Sequence, residues 1–407
     1  MAKIGLIYIG GSEGKQENGE VFYSGVTFFL KSNSNVTEIY QYDNDWEVEV
    51  NKENECIVAR CKIVLLPDEI LTKGLAICQK VLDLFSVTNK GEMSIIAPGD
   101  IHALLFSIKG QIVLRYVSLS NFGIKTEISV VKTDKNGNVI LNSPEPKIQW
   151  TTAFRYYRLS QSSNDLYEAY RNLFLGLESL LNTICVKLKS EGEKEWLIRS
   201  LSEVNKKSSF ASLVPPSASD PVSYIITSQY INIRCKIFHA KIASILPHET
   251  LNPTDVSQGY ELILSLWRHI AMLYFNIPNN GGVITYQGFK LMMDTVFNNR
   301  LIFYSTSDSS LPNKNDIVVS PANCPVFTFD ENNYMSEIKP GRIMLSGALT
   351  KNTITKISLI KRICSSIDKT LFSVAYIKDG IIPIGIDRFE NNEILRLVNK
   401  SNPKVVF

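Results

Sequence analysis

The chain of 407 residues is longer than the roughly 250 to 300 over which one hydrophobic core keeps growing, so more than one domain is expected. Its 44% hydrophobic and 20% charged residues exclude a disordered or collagen-like chain, and no apolar run approaches the roughly 18 residues of a membrane helix. A net charge of +3 is shared by many proteins that never meet nucleic acid and excludes little by itself.

The N-terminus, Met-Ala-Lys-Ile-Gly-Leu-Ile-Tyr-Ile-Gly, reads as a strand without a signal-peptide cleavage site, and a cytoplasmic location is expected. Period-two alternation follows in Lys3 to Ile9, Val21 to Leu30, Val36 to Tyr42 and Cys56 to Leu66. Leu71, Leu75, Cys78, Leu82 and Phe85 then recur at helical spacing, predicting one helix on a sheet. Strands return in Met93 to Ile96, Ala103 to Ile108, Ile112 to Ser118 and Thr126 to Val131, and Asn136-Gly137 is a hairpin signal. Residues 1–149 are thus expected to form a β-rich domain with one helix, ending in a linker at Ser143 to Pro146. Gly10-Gly-Ser-Glu-Gly14 lacks the Gly-Lys-Ser/Thr ending of a phosphate loop and reads as a turn.

The period changes at about Gln149. Phe154, Tyr157, Leu166, Ala169, Tyr170, Leu173, Phe174, Leu177, Leu180, Leu181 and Ile184 fall at i, i+3, i+4, with Ser163 or Asn164 as N-cap and Asp165 in the first turn. Further helices are predicted at Glu193 to Val204, Val222 to Ile245 and Asp255 to Phe275, making residues 150–277 an all-α bundle. Residues 278–407 are expected to be a second β-containing domain. It has strands at Val283 to Tyr286, Leu301 to Ser305 and Ile317 to Ser320, helices at Phe289 to Phe297 and Ile357 to Ile367, and a hairpin turning at Asp379-Gly380. Its basic residues Lys351, Lys356, Lys361, Arg362 and Lys369 read as a solvated face. The expected class is therefore α+β multidomain, with a central all-α bundle flanked by N-terminal and C-terminal β-rich domains.

The seven cysteines are scattered with no C-x-x-C pair, so free thiols and no metal site are expected. His102 is isolated, His248 reads as a loop residue and His269 as packing on an amphipathic helix. Tyr230-Ile-Asn-Ile-Arg234-Cys-Lys-Ile-Phe-His239 lies in a predicted helix and resembles the R-x4-H motif of the HEPN superfamily. Phe154 to Leu181 and Gly192 to Leu197 resemble the opening helices of its Apea-like branch, so the likeness spans about residues 150–277. It implies a metal-independent endoribonuclease without cofactor, leaving 2′,3′-cyclic phosphate ends, with its site shared across a homodimer.

An α-helical wheel puts Ile226, Tyr230, Ile233 and Ile237 on the bundle side and Arg234, Cys235, Phe238, His239 and Ile242 on the opposite side. Tyr224, Ile231, Phe238 and Ile242 form a partly apolar strip there, which a two-fold copy of the same helix would cover. Histidine can carry a proton either way at neutral pH, and arginine matches phosphate oxygens with a planar fork. His239 and Arg234 are therefore the expected catalytic pair. Many HEPN nucleases carry Asn, Asp or His directly after the arginine, where this chain has Cys235. A thiol is a weak hydrogen-bonding group, which leaves Asn232, Glu178 and Lys236 as candidate supporting residues. Glu178 reads equally as a hydrogen-bonding group inside the bundle. The resemblance further implies an RNA substrate and a role in bacterial anti-phage defence or toxin-like growth arrest, with the β domains sensing a phage or regulatory protein. The competing expectation is a non-catalytic module that binds RNA, a nucleotide or a protein.

Overall fold

The computed structural model describes residues 2–10, 21–124, 131, 133–139, 148–163, 165–238, 251, 253–277, 284–298 and 300–398. They fall into two compact units, one drawn from residues up to Ile124 together with Ile284–Val398, the other from within Lys125–Val283.

The first unit begins with β1 (Ala2–Ile4) and β2 (Ile7–Gly10), which Gly5, at φ +56°, folds into a hairpin where one strand was expected. β3 (Ser24–Phe29), β4 (Glu38–Gln41), β5 (Trp46–Val50) and β6 (Cys56–Cys61) follow. α1 (Pro67–Val87) starts with Pro67 in its first turn, and Glu69 Oε2 accepts from the Leu66 amide at 3.2 Å. Its Ile70, Ile77, Cys78, Val81, Leu82 and Phe85 bury one face against the sheet. β7 (His102–Ile108) and β8 (Gln111–Phe122) complete the N-terminal part.

The C-terminal part adds β9 (Leu301–Thr306), β10 (Val326–Thr328), β11 (Glu331–Lys339), β12 (Arg342–Thr350), β13 (Ile360–Ile367), β14 (Thr370–Ile382) and β15 (Arg388–Leu397). One sheet runs β10-β9-β13-β14-β1-β2, the other β11-β12-β15-β8-β7-β3-β6-β5-β4. All ladders between these strands are antiparallel except β8 with β15, where Val113 pairs Arg388 and Phe122 pairs Leu397. The β1–β14 and β8–β15 ladders thus join strands that lie far apart in the chain.

This corrects the expected class. The chain is α+β, with two large, mostly antiparallel sheets of fifteen strands among the described residues and helices in the minority, and no central all-α bundle organises it. Strands from both ends of the chain share each sheet, because β1 and β8 present edges that β14 and β15 complete.

Several local expectations change for related reasons. Ile357 to Ile367 has apolar residues at helical intervals, yet residues 360–367 form a strand between β9 and β14 that is buried through most of its length. A strand covered on both faces loses its alternation, and period alone no longer separates it from a helix. Asp379-Gly380 does not turn a hairpin; β14 runs through it with Gly380 at φ +73°, and the chain reverses at Asp368-Lys369, both at positive φ. Residues 317–320 form no strand, and Tyr286 opens a helix, Tyr286–Phe297, whose N-cap is Thr285. Arg362 is not on a solvated face: it is fully buried, its Nη2 2.6 Å from Asp316 and its Nη1 3.5 Å from Asp308.

In the second unit α2 (Thr152–Ser162) and α3 (Leu166–Ile184) pack side by side, and Asp165 itself caps α3 by accepting from Glu168 N at 2.8 Å. α4 (Glu193–Lys207) opens with Glu193 and Glu195 in its first turn, where the helix dipole favours carboxylates. Asp220 caps α5 (Pro221–Ile225), which passes into a π-helical stretch, Ile226–Arg234, and then α6 (Cys235–Phe238). α7 (Pro253–Phe275) follows. Tyr170, Leu173, Phe174, Leu177, Trp196, Leu201, Tyr260, Ile263 and Trp267 form the core, each contributing roughly 1.5–3 kcal/mol by burial.

Candidate functional site

The segment that carries the Arg234 motif is wound as a π-helix over nine residues. With i→i+5 hydrogen bonds each residue turns through less than the 100° of an α-helix, and the deficit accumulates to the C-terminal end, where Arg234 stands. The predicted outward face is thereby corrected. Arg234 is buried with Ile226, Gln229, Ile233 and Ile237, while Tyr224 and Ile231 stay exposed. Phe238 packs against the core at intermediate exposure.

Arg234 is enclosed by carboxylates and rings. Its Nη2 lies 2.5 Å from Glu193 Oε1 and 3.3 Å from Glu178 Oε1. The guanidinium carbon sits 4.6, 5.3 and 5.9 Å from the ring centroids of Phe238, Tyr230 and Phe174. The side chain is only 11% exposed, and its Nε has no hydrogen-bond partner among the described residues. Tyr230 Oη donates to Glu193 Oε2 at 3.4 Å, so the second carboxylate oxygen is also engaged.

The two carboxylates are unequal. Burial, followed by a hydrogen bond with Glu193, raises the Glu178 carboxyl from the usual 4.5 to about 7, against the opposing pull of Arg234. One guanidinium cannot neutralise two carboxylates, and the more deeply buried one keeps the proton. The result is a carboxyl that exchanges a proton near neutrality, hydrogen-bonded to a fixed cation.

Of the residues singled out from the sequence, Arg234 and Glu178 are brought together. Cys235 is half-buried at the start of α6. Asn232 and Lys236 lie elsewhere, on the wall of a cavity against α7, and among the described residues no hydrogen bond or ion pair joins them to Arg234. His239, Ile242 and His248 lie outside the described residues. His269 packs edge-on against Phe210, with ring centroids 5.7 Å apart. Glu193 was missed as the nearest partner of Arg234. The available signal was its place in the first turn of α4, within the stretch Gly192 to Leu197 that carried the family resemblance.

Among the described residues, no group of three or more His, Cys, Asp or Glu side chains could hold a metal ion, and no helix is long and apolar enough to cross a membrane. Some basic C-terminal residues are paired: Lys351 with Asp387, Arg388 with Glu331, and Arg342 with Asp100. No family model, curated protein or solved structure matches the chain.

Proposed function

We propose that the chain is a metal-independent, HEPN-type endoribonuclease acting in the cytoplasm, with its site on the segment from Tyr230 to His239. The observation that carries this reading is the buried Arg234 centre, where Glu178 titrates at about 7 beside a guanidinium. A group of that pKa at working pH can both take and return a proton, which contributes roughly 10²- to 10⁴-fold in rate.

Cleavage by the RNA's own 2′-hydroxyl needs a base for that proton, an acid for the leaving 5′-oxygen and positive charge at the phosphorane between them. Glu178 and His239 are assigned the two proton roles and Arg234 the charge, giving 2′,3′-cyclic phosphate and 5′-hydroxyl ends. Two copies of the chain share the site in this reading, with the exposed Tyr224 and Ile231 covered by the same face of the second copy. The β-rich unit then answers a phage or regulatory protein and restrains the nuclease until infection or growth arrest.

A second reading is favoured by one observation: Arg234 already has two carboxylate partners and little exposure, so its charge is met before any phosphate arrives. The chain is then a non-catalytic module that binds RNA, a nucleotide or a protein, with the β-rich unit as sensor.

One experiment separates them. Purified full-length protein is incubated with mixed RNA in EDTA and the products are tested for cyclic-phosphate ends. The first reading expects metal-independent cleavage that is lost in H239A, with the variant still folded and dimeric. Cleavage unchanged in H239A ends that reading, and retention of intact RNA supports the second.

A further inference from the structure

The face that the nine-stranded sheet turns toward the six-stranded sheet is largely apolar, but Glu393 interrupts it. Glu393 is 3% exposed; its Oε1 accepts from Ser120 Oγ on β8 and its Oε2 from Ser373 Oγ on β14, each at 2.7 Å. Ser365 Oγ on β13 lies 2.5 Å from Ser373 Oγ, so strands of both sheets meet at this carboxyl. Among the described residues no Lys, Arg or His pairs with it, and burial pushes its titratable neighbours, the Tyr116 phenol and the Cys364 thiol, further into their neutral forms. A carboxylate buried without a counter-charge is strongly disfavoured, so it must acquire either a proton or a cation.

Two further groups decide between them. Ser118 Oγ and Asn391 Oδ1 are buried and have no hydrogen-bond partner among the described residues, their side chains belonging to residues 7% and 1% exposed. Ser118 is the cross-strand partner of Glu393, and Asn391 precedes Glu393 by two on β15, so all three project from the same face. Asn391 also pairs with Gly347, where a Cβ would stand 2.8 Å from Phe303 Cδ2 on the six-stranded sheet, which fixes the direction of that face. A proton on Glu393 leaves both lone oxygens unmet, whereas a cation beside the carboxylate satisfies them. Every available donor is oxygen, the set that a hard ion selects. One carboxylate balances one positive charge, and no group of three His, Cys, Asp or Glu among the described residues offers a divalent ion a site. Ser118 and Ser120 also line a cavity of about 330 Å³ whose lining extends to the partly exposed Lys378–Glu55 ion pair, giving an ion a path from solvent.

We propose that the pocket at Glu393 binds a monovalent alkali cation, sodium or potassium, held by the Glu393 carboxylate, Ser118 Oγ and Asn391 Oδ1, with the hydroxyls of Ser120 and Ser373 orienting the carboxylate. The ion ties β8 and β15 to β13 and β14. The site belongs to the β-rich unit and is occupied whether or not the chain cuts RNA.

The test is thermal unfolding of the full-length chain in choline, sodium and potassium chloride at constant ionic strength, followed by far-UV circular dichroism in the strand-rich transition. An alkali ion is expected to raise the melting temperature saturably over choline, by about 3–6 °C at ten times its dissociation constant. Whichever ion acts at the lower concentration is the resident one. E393Q removes the charge and should abolish the response. Should E393Q fail to fold, S118A decides: it deletes a hydroxyl that has no partner, so it keeps the fold, yet it should need about tenfold more salt for half the shift. Equal melting temperatures in all three salts, as a permanently protonated Glu393 requires, overturn the proposal. So does an E393Q that answers alkali salt as wild type does, or an S118A with the half-saturating salt of wild type.

Discussion

Replacing Glu178 by glutamine isolates the cost of holding two carboxylates against one buried guanidinium. Folding raises the Glu178 carboxyl from 4.5 to about 7, so over that range the folded chain binds the proton more tightly than the unfolded chain. The stability this contributes is complete below about pH 4.5 and is lost as pH rises through about 7. At roughly 1.4 kcal/mol per pH unit, the rise is worth about 3 kcal/mol, and with the side chain only 17% exposed little of it is screened away. Glutamine has no proton to lose and can still accept from Arg234. The variant is therefore expected to match wild type near about pH 5 and to exceed it by about 2–3 kcal/mol near about pH 8. Urea denaturation followed by far-UV circular dichroism across this range reads the difference, taking the helix-rich transition separately if the two units unfold apart. A variant whose stability follows the wild-type pH curve, or falls below it at alkaline pH, refutes the account of the Arg234 centre.

Three further outcomes follow from buried charge. Arg234→Ala leaves Glu178 and Glu193 facing each other, and a loss of about 2–3 kcal/mol is expected, at the low end for a broken pair because Glu193 is 37% exposed; the loss should grow with pH in the same denaturation series. Although burial opposes it, hydrogen bonds from Ser310, Ala322 and Ser320 hold the Asp308 carboxyl well below the carboxylate range beside fully buried Arg362, so Asp308→Asn should cost about 3–5 kcal/mol, read as a lower melting temperature. His102 is buried and held neutral, its pKa lowered to about 4, although a contact to the Pro98 carbonyl oxygen opposes the shift. Its contribution is present above about pH 6.5 and fades toward about pH 4, so NMR titration should find an imidazole still neutral at about pH 5.

What the chain discloses about itself divides by distance along the sequence. Local periodicity located α1, α3, α4 and α7, and the alternation in 21–30 and 56–66 located β3 and β6. Pairings across hundreds of residues leave no local mark: no pattern near Val113 announces Arg388 as its partner. The reading of 357–367 failed where burial on both faces removed the one feature that distinguishes a strand. The candidate site shows the same split. Arg234 and Glu178 were legible as residue types, but the direction of Arg234 was read from α-helical angles that the π-helical turn abolishes. Glu193 is bound to Arg234 by packing between helices that neither spacing nor propensity encodes.

The parallel ladder between β8 and β15 also has a temporal side. During synthesis Phe122 leaves the ribosome some 270 residues ahead of the strand that flanks it, which at roughly 5–20 residues per second is a wait of about 15 to 50 s. The inserted helices emerge entirely within that interval and need no distant partner for their own core. A newborn chain thus has the whole sequence of its helical core outside the ribosome while the nine-stranded sheet still lacks β11, β12 and β15.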